Sequence, residues 1–240
     1  MAEILFEELF PELGCPVPTP SRPSDWFKDI PKYSRDEGSD QSRYFGKVPT
    51  IRKCPAVEDA MFMGYTLFTP CDFIIDARGE EIKWSYPKEL TEQTNIGQTG
   101  LYPLVGHDVE GTQGYMDAWG FHPQTLKWNP YWSVKTPEGY SSLFTHPLHR
   151  EDLPFYSVSG IVDTDVFPTY QNFAFFVKQG FSGIIPRGTP MLQVLPYKRE
   201  DWSMETKQFN MFDLHKQRIQ IATTFTNAYK KIFWTRKKYK

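Results

Sequence analysis

The 240-residue sequence predicts a mainly β fold with an extended N-terminal arm and a long C-terminal α-helix. Three observations predict it. Twenty prolines punctuate the chain and fall mostly between short apolar runs. Proline ends helices and is confined to the edges and turns of sheets, so long helices are excluded from most of the sequence. Hydrophobic residues make up 40% and aromatic residues 16%, enough apolar surface for a sizeable core. Residues 210–234 contain neither proline nor glycine and repeat their apolar residues at helical spacing.

The elements follow in order. In residues 1–50, Pro11, Pro16, Pro18, Pro20 and Pro23 favour irregular, polyproline-like backbone. The short patch at Trp26, Phe27 and Ile30 gives this arm apolar anchors for packing on its own domain or on a neighbouring subunit. Residues 33–43 are polar and read as a loop. A β core is expected over residues 51–204. Residues 57–64 make a short helix ending at Gly64, 65–70 and 71–76 make strands, and 82–86 return in a hairpin. Glycines 97, 100, 106, 111, 114 and 120 mark 87–130 as a loop-rich insertion, with short strands at 126–128 and 132–135.

Residues 136–196 are the clearest β region. A turn at Thr136-Pro137-Glu138-Gly139 precedes strands at 141–145, 155–162, 173–178 and 191–195, and Pro186-Arg187-Gly188-Thr189-Pro190 makes the last tight turn. Short strands spaced this closely build a barrel or a sandwich. The expected C-terminal helix ends in Arg236-Lys237-Lys238-Tyr239-Lys240. Those cations complement the helix dipole, or offer a patch to phosphate or an acidic partner.

The bulk charge narrows the function. A net charge of −2 gives no global attraction to nucleic acid or to an anionic membrane. Cys15, Cys54 and Cys71 are too few and too far apart for a disulfide framework or zinc set, and read as free thiols in a reducing compartment. No apolar run reaches membrane-spanning length. The start carries Glu3, Glu7 and Glu8 without a basic residue, so it is not expected to act as a signal peptide.

Several segments resemble the dUTPase/dCTP deaminase superfamily. Gly64-Tyr65-Thr66-Leu67, the 136–144 turn and strand, Gly160-Ile161-Val162-Asp163 and Ile185-Pro186-Arg187-Gly188 through Gln193 follow the order of that family's first four motifs. The resemblance implies a dUTPase-like β-barrel, a trimer, and Asp163 as the water-activating carboxylate. The candidate ligand-binding residues are Tyr140, Ser142, His146, Arg150, Asp165, Arg187 and Gln193, and the alternative to a binding protein is a diverged nucleotide pyrophosphatase or deaminase using Asp163, with Mg²⁺. Departures stand beside it. Thr66 replaces the first-motif Asp, Thr145-His146-Pro147 replaces the phosphate loop, the aromatic shifts to Phe167, and no glycine-rich fifth motif follows Gln193. A lone carboxylate without a phosphate clamp does not supply the electrostatics of triphosphate chemistry. Trp26-Phe27-Lys28 with Pro31, Lys53-Cys54-Pro55, the 136–150 block and Val162-Asp163-Thr164-Asp165 also resemble an uncharacterised family of tailed phages and bacteria. No activity comes with that resemblance; the expectation is a non-catalytic protein that acts by binding, either as an oligomeric virion or assembly component or by holding a nucleotide-like ligand, in the host cytoplasm or the particle, with itself or other phage structural proteins as partners.

Two further groups qualify as sites on residue type alone. His146 and His149, with Asp163 and Asp165, have the chemistry of a divalent-metal site. Asp163 and Asp165, two apart on a strand, would share a face and need a cation between them, with Arg150 and Arg187 as candidate partners. Trp84, Trp119, Trp128 and Trp132 make either core or a stacking pocket.

Overall fold

The computed structural model describes residues 2–34, 48–92, 96–107, 117–167, 172–224, 228–235 and 237–240. Most of the expected 33–43 loop, Gly111, Gly114, Phe225 and Arg236 lie outside them. The chain divides into two compact units, one of Met1–Arg22 with Gly64–Arg199, the other of Pro23–Met63 with Glu200–Lys240.

The strands in chain order are β1 (Leu5–Glu8), β2 (Thr19–Pro20), β3 (Tyr33–Ser34), β4 (Val48–Pro49), β5 (Tyr65–Phe68), β6 (Phe73–Asp76), β7 (Lys83–Ser85), β8 (Leu104–His107) and β9 (Phe121–Trp128). They continue with β10 (Trp132–Lys135), β11 (Tyr140–Thr145), β12 (Phe155–Ser157), β13 (Gly160–Val162), β14 (Phe173–Lys178), β15 (Ser182–Ile185) and β16 (Pro190–Lys198). In the first unit they form a five-stranded sheet β13-β11-β16-β5-β2, a four-stranded sheet β12-β14-β9-β8, a three-stranded sheet β15-β6-β7 and the pair β1-β10. All pairings are antiparallel. The sequence predicts a barrel or a sandwich; among the described residues the sheets stay open and none closes into a barrel. The fold is mainly β, in several sheets that share one core.

That core is aromatic. Trp128 of β9 is fully buried, stacks on Phe175 of β14 at 3.8 Å and meets Phe155 of β12 edge-on at 4.5 Å. Phe144 of β11 stacks on Phe173 at 4.8 Å, joining the five-stranded sheet to the four-stranded one. Trp128 and Trp132 are therefore core, whereas Trp119 is 73% exposed. One glycine is fixed by contact: Gly64 has φ +73°, and a Cβ there would stand 2.0 Å from the Val194 carbonyl oxygen on β16. No side chain fits that approach.

Two expected elements differ. The run 155–162 is not one strand. β12 pairs with β14 in the four-stranded sheet and β13 with β11 in the five-stranded sheet, so the chain changes sheets at Val158-Ser159. The expected long C-terminal helix is instead a 13-residue helix, Met211–Thr223, followed by the short helix Ala228–Ile232. Asn210 caps the first by accepting a hydrogen bond from the Phe212 amide. It stops where Thr223 and Thr224 donate their hydroxyls to the Ile219 and Gln220 carbonyls, and Thr224 turns extended at φ −89°, ψ 111°. Such side-chain bonds compete with the helix ladder, and β-branched residues resist continuing it.

The second unit buries Phe27 and Met61 and carries a few polar ties. Arg52 donates to the Ile30 carbonyl at 3.0 Å and also to that of Lys28. Asp59, on the helix Pro55–Phe62, accepts from the Trp234 indole at 2.8 Å and from Lys237 at 2.7 Å.

Candidate functional site

Two turns meet beside β11. The Pro137-Glu138-Gly139 turn closes with the Tyr140 amide donating to the Pro137 carbonyl, with Gly139 at φ +81°. Past β13, the Val166 and Phe167 amides both donate to the Asp163 carbonyl, so Asp163 and Asp165 sit on a turn and not on the expected strand. A buried chain of hydroxyls ties the turns together: Ser142 Oγ lies 2.9 Å from Thr164 Oγ1, which lies 2.7 Å from Thr136 Oγ1. Thr136 donates on to the Tyr140 carbonyl at 3.3 Å.

The two carboxylates converge on Arg199, immediately after β16. Asp165 accepts from the Gly139 amide at 2.8 Å and from Arg199 Nη1 at 2.8 Å, with Nη2 closing a second bond. Its side chain is only 4% exposed, and the Arg199 guanidinium holds its carboxyl down to about 2. Asp163 accepts from Ser141 Oγ at 2.6 Å, lies 3.3 Å from Arg199 Nη1, and remains 60% exposed. The cation that two neighbouring carboxylates require is thus present. It is neither Arg150 nor Arg187. Arg150 forms a two-point pair with Asp152 at 2.8 and 2.9 Å. Arg187 donates to the Gly14 carbonyl, and its amide donates to Asp72 at 2.7 Å. Arg187 precedes the nine-residue β16 and Arg199 follows it, a separation of roughly 30 Å along an extended strand.

The other candidates are placed apart. His146 is buried, its Nδ1 accepting from the Ser157 amide at 3.2 Å and its Nε2 lying 3.1 Å from the Arg150 carbonyl. Burial pushes its pKa below the ordinary value, which favours the neutral ring, with Nε2–H donating. His149 sits in the following loop at φ +60°. Among the described residues, no three His, Cys, Asp or Glu side chains are placed to hold a metal ion. His146 and His149 do not join Asp163 and Asp165, and one exposed carboxylate is a poor fit to Mg²⁺, which takes oxygen ligands in octahedral geometry. Gln193 is buried and accepts from the Leu148 amide at 2.9 Å. Tyr140 pairs in register with Lys198, and Ser142 belongs to the hydroxyl chain. Thr66, where the resembled motif has Asp, is buried with its hydroxyl 3.0 Å from Ser21 Oγ. Burial pushes the Cys15 and Cys71 thiols up to about 12, so both stay protonated at neutral pH.

Sequence reasoning missed Arg199. Nothing local marks it, since its role depends on β16 pairing with β11 so that Lys198 lies opposite Tyr140.

No family model matches the sequence, and no curated protein matches it. Among solved structures, the chain is similar to a point mutant of the dUTPase from phage phi11 of S. aureus. The identity is 12%, the alignment covers 86% of this chain and 96% of that one, and the TM-score is 0.33. A superposition that loose leaves fold and function to be argued from the chain's own residues.

Proposed function

We propose that this protein acts by binding and not by catalysis, as a self-associating component of a larger assembly such as a virion. The observation that carries the reading is the surface of residues 200–223. Trp202 is 88% exposed, Met204 91%, Phe209 60%, Met211 68% and Phe212 74%. Single exposed apolar residues are ordinary, but a contiguous group of large ones marks an interaction site. The polar groups point the same way. Asp165, His146 and Gln193 are each engaged in hydrogen bonds inside the fold.

Light scattering across a concentration series tests the reading, with a mass above one chain as the expected result. Detection of the protein in purified particles would support the virion role. One observation favours a second reading: Asp163 is an exposed carboxylate beside a hydroxyl, as a diverged nucleotide hydrolase would need. Incubation with a dNTP panel and Mg²⁺ separates the two. Turnover lost in Asp163→Asn would overturn the binding reading.

A further inference from the structure

We infer that residues 228–240 are a binding surface for single-stranded nucleic acid. The inference rests on the reading of this chain as a binding protein and names one class of partner for it.

The net charge of −2 conceals a separation of charge along the chain. Residues 228–240 carry six basic side chains and no acidic one, while the other 227 residues carry 21 basic against 29 acidic. Four aromatic residues, Tyr229, Phe233, Trp234 and Tyr239, interleave with those cations. Cations that follow a phosphate backbone, set among rings on which bases stack, are the means by which single strands are held without sequence readout.

The structure fixes part of this chemistry in place. Trp234 donates its indole N–H to Asp59 at 2.8 Å, which fastens the segment to the helix Pro55–Phe62 within the second unit. Lys230 Nζ stands 4.9 Å from the centroid of the Trp234 ring, and Lys237 Nζ stands 6.0 Å from it. One anchored ring therefore positions two ammonium groups. Lys53, just before the same helix, lies 5.4 Å over the Tyr33 ring and repeats the pairing in this unit. Lys230, Lys231, Lys237, Lys238 and Lys240 are all exposed. Tyr229 and Phe233 are 48% and 41% exposed, with ring centroids 6.4 Å apart. Rings open to this extent can accept a stacked base.

Other anions fit less well. An acidic peptide would use the lysines and leave the rings idle. An anionic membrane takes an amphipathic helix lying flat with one apolar face. Here the helix Ala228–Ile232 has five residues, Lys230 and Lys231 stand between Tyr229 and Ile232, and the Trp234 indole is turned to Asp59. A duplex would engage the cations but keep its bases from the rings, so a single strand is favoured.

The test is fluorescence anisotropy of a fluorescein-labelled oligothymidine of about 20 nucleotides, titrated with full-length protein from about 50 to about 500 mM salt. The slope of log K against log salt should be about −2 to −4, for about three to six neutralised phosphates. Lys230→Ala/Lys238→Ala should weaken binding and flatten the slope by about 1.4. Phe233→Ala should weaken it about fivefold or more at unchanged slope. Lys83→Ala, at an exposed position of β7 in the first unit, should leave binding unchanged. Circular dichroism with a urea midpoint checks that each variant folds. No binding at about 100 μM protein and low salt overturns the inference. So does binding that the C-terminal substitutions leave intact, or that Lys83→Ala weakens equally. Competition by polyglutamate as effective as that by unlabelled oligothymidine overturns it in favour of a general anion. Capture on phosphatidylserine vesicles without oligonucleotide binding overturns it in favour of a membrane. The binding reading itself stands or falls on light scattering and dNTP turnover, so the two failures are distinguishable.

Discussion

Thr164→Val isolates the hydroxyl chain beneath the Asp163–Asp165 turn. Thr164 and Ser142 are fully buried and Thr136 nearly so. Because Thr136 donates to the Tyr140 carbonyl, the donors run one way: Ser142 to Thr164, Thr164 to Thr136, Thr136 to Tyr140. Valine keeps the shape and removes the middle hydroxyl. Thr136 loses an incoming bond but keeps its own acceptor. Ser142 loses its acceptor and becomes a buried, unpaired donor. That costs about 1–3 kcal/mol, and about 2 is expected here. Ser142→Ala removes only an incoming bond to Thr164 and should cost about 1 kcal/mol or less. The double variant has no orphaned hydroxyl, so it should be no worse than Thr164→Val alone. Urea midpoints at an unchanged slope measure all three. A Thr164→Val protein within about 0.5 kcal/mol of wild type, or single effects that simply add, would refute the directional chain.

Gly64→Ala should destabilise by about 3 kcal/mol or more, since it adds positive-φ strain of about 1–2 kcal/mol to a backbone clash with β16. Gly139→Ala has the same strain with open space around it, so the unfolding free energy from urea titration should fall by only about 1–2 kcal/mol. His146 has its folded pKa below the ordinary value, so the unfolded chain binds the extra proton first; stability is full above about 6.5 and falls as the pH drops below it. The wild-type urea midpoint should therefore drop between pH about 7.5 and about 5.5, and a His146→Asn variant should show a flatter profile. Asp165→Asn should lower the melting temperature clearly more than Asp163→Asn, because Asp165 is nearly buried and takes bonds from both Gly139 and Arg199. Equal effects would sink the distinction drawn between the two carboxylates.

What the sequence made legible was local. The β6–β7 hairpin follows from alternation around the Arg78-Gly79 turn, and β14 matches its predicted span of 173–178 residue for residue. The turn at Pro186 was readable because Gly188 carries the positive φ its position requires, with the Thr189 amide donating to the Pro186 carbonyl. What stayed hidden was long-range. An apolar run at 155–162 reads alike whether it stays in one sheet or crosses to another, and only the partners β14 and β11 decide. The same holds for sheet closure, which depends on pairings between edge strands. The C-terminal periodicity was real, but spacing does not record the hydroxyl bonds that end the helix at Thr223. The site was half legible. Asp163 and Asp165 were recognised as a pair needing a cation, and the cation was Arg199, placed there by register alone.

The asymmetry within that pair bears directly on catalysis. A hydrolase needs a carboxylate to activate water and donors free to meet the charge that develops on the substrate. Here Arg199 is the cation paired with Asp163, but its guanidinium also donates to Asp165, to the Tyr140 carbonyl and to Ser141. Freeing it for a phosphate would leave the Asp165 carboxylate, 4% exposed, with only the Gly139 amide as its charge-balancing donor among the bonds described. A nearly buried, unpaired carboxylate is strongly unfavourable. The arrangement therefore favours Arg199 as a fastener of the end of β16 against β11 and the Asp163 turn. Asp163 is left exposed at the rim of the ion cluster, with Ser141 as its hydroxyl neighbour.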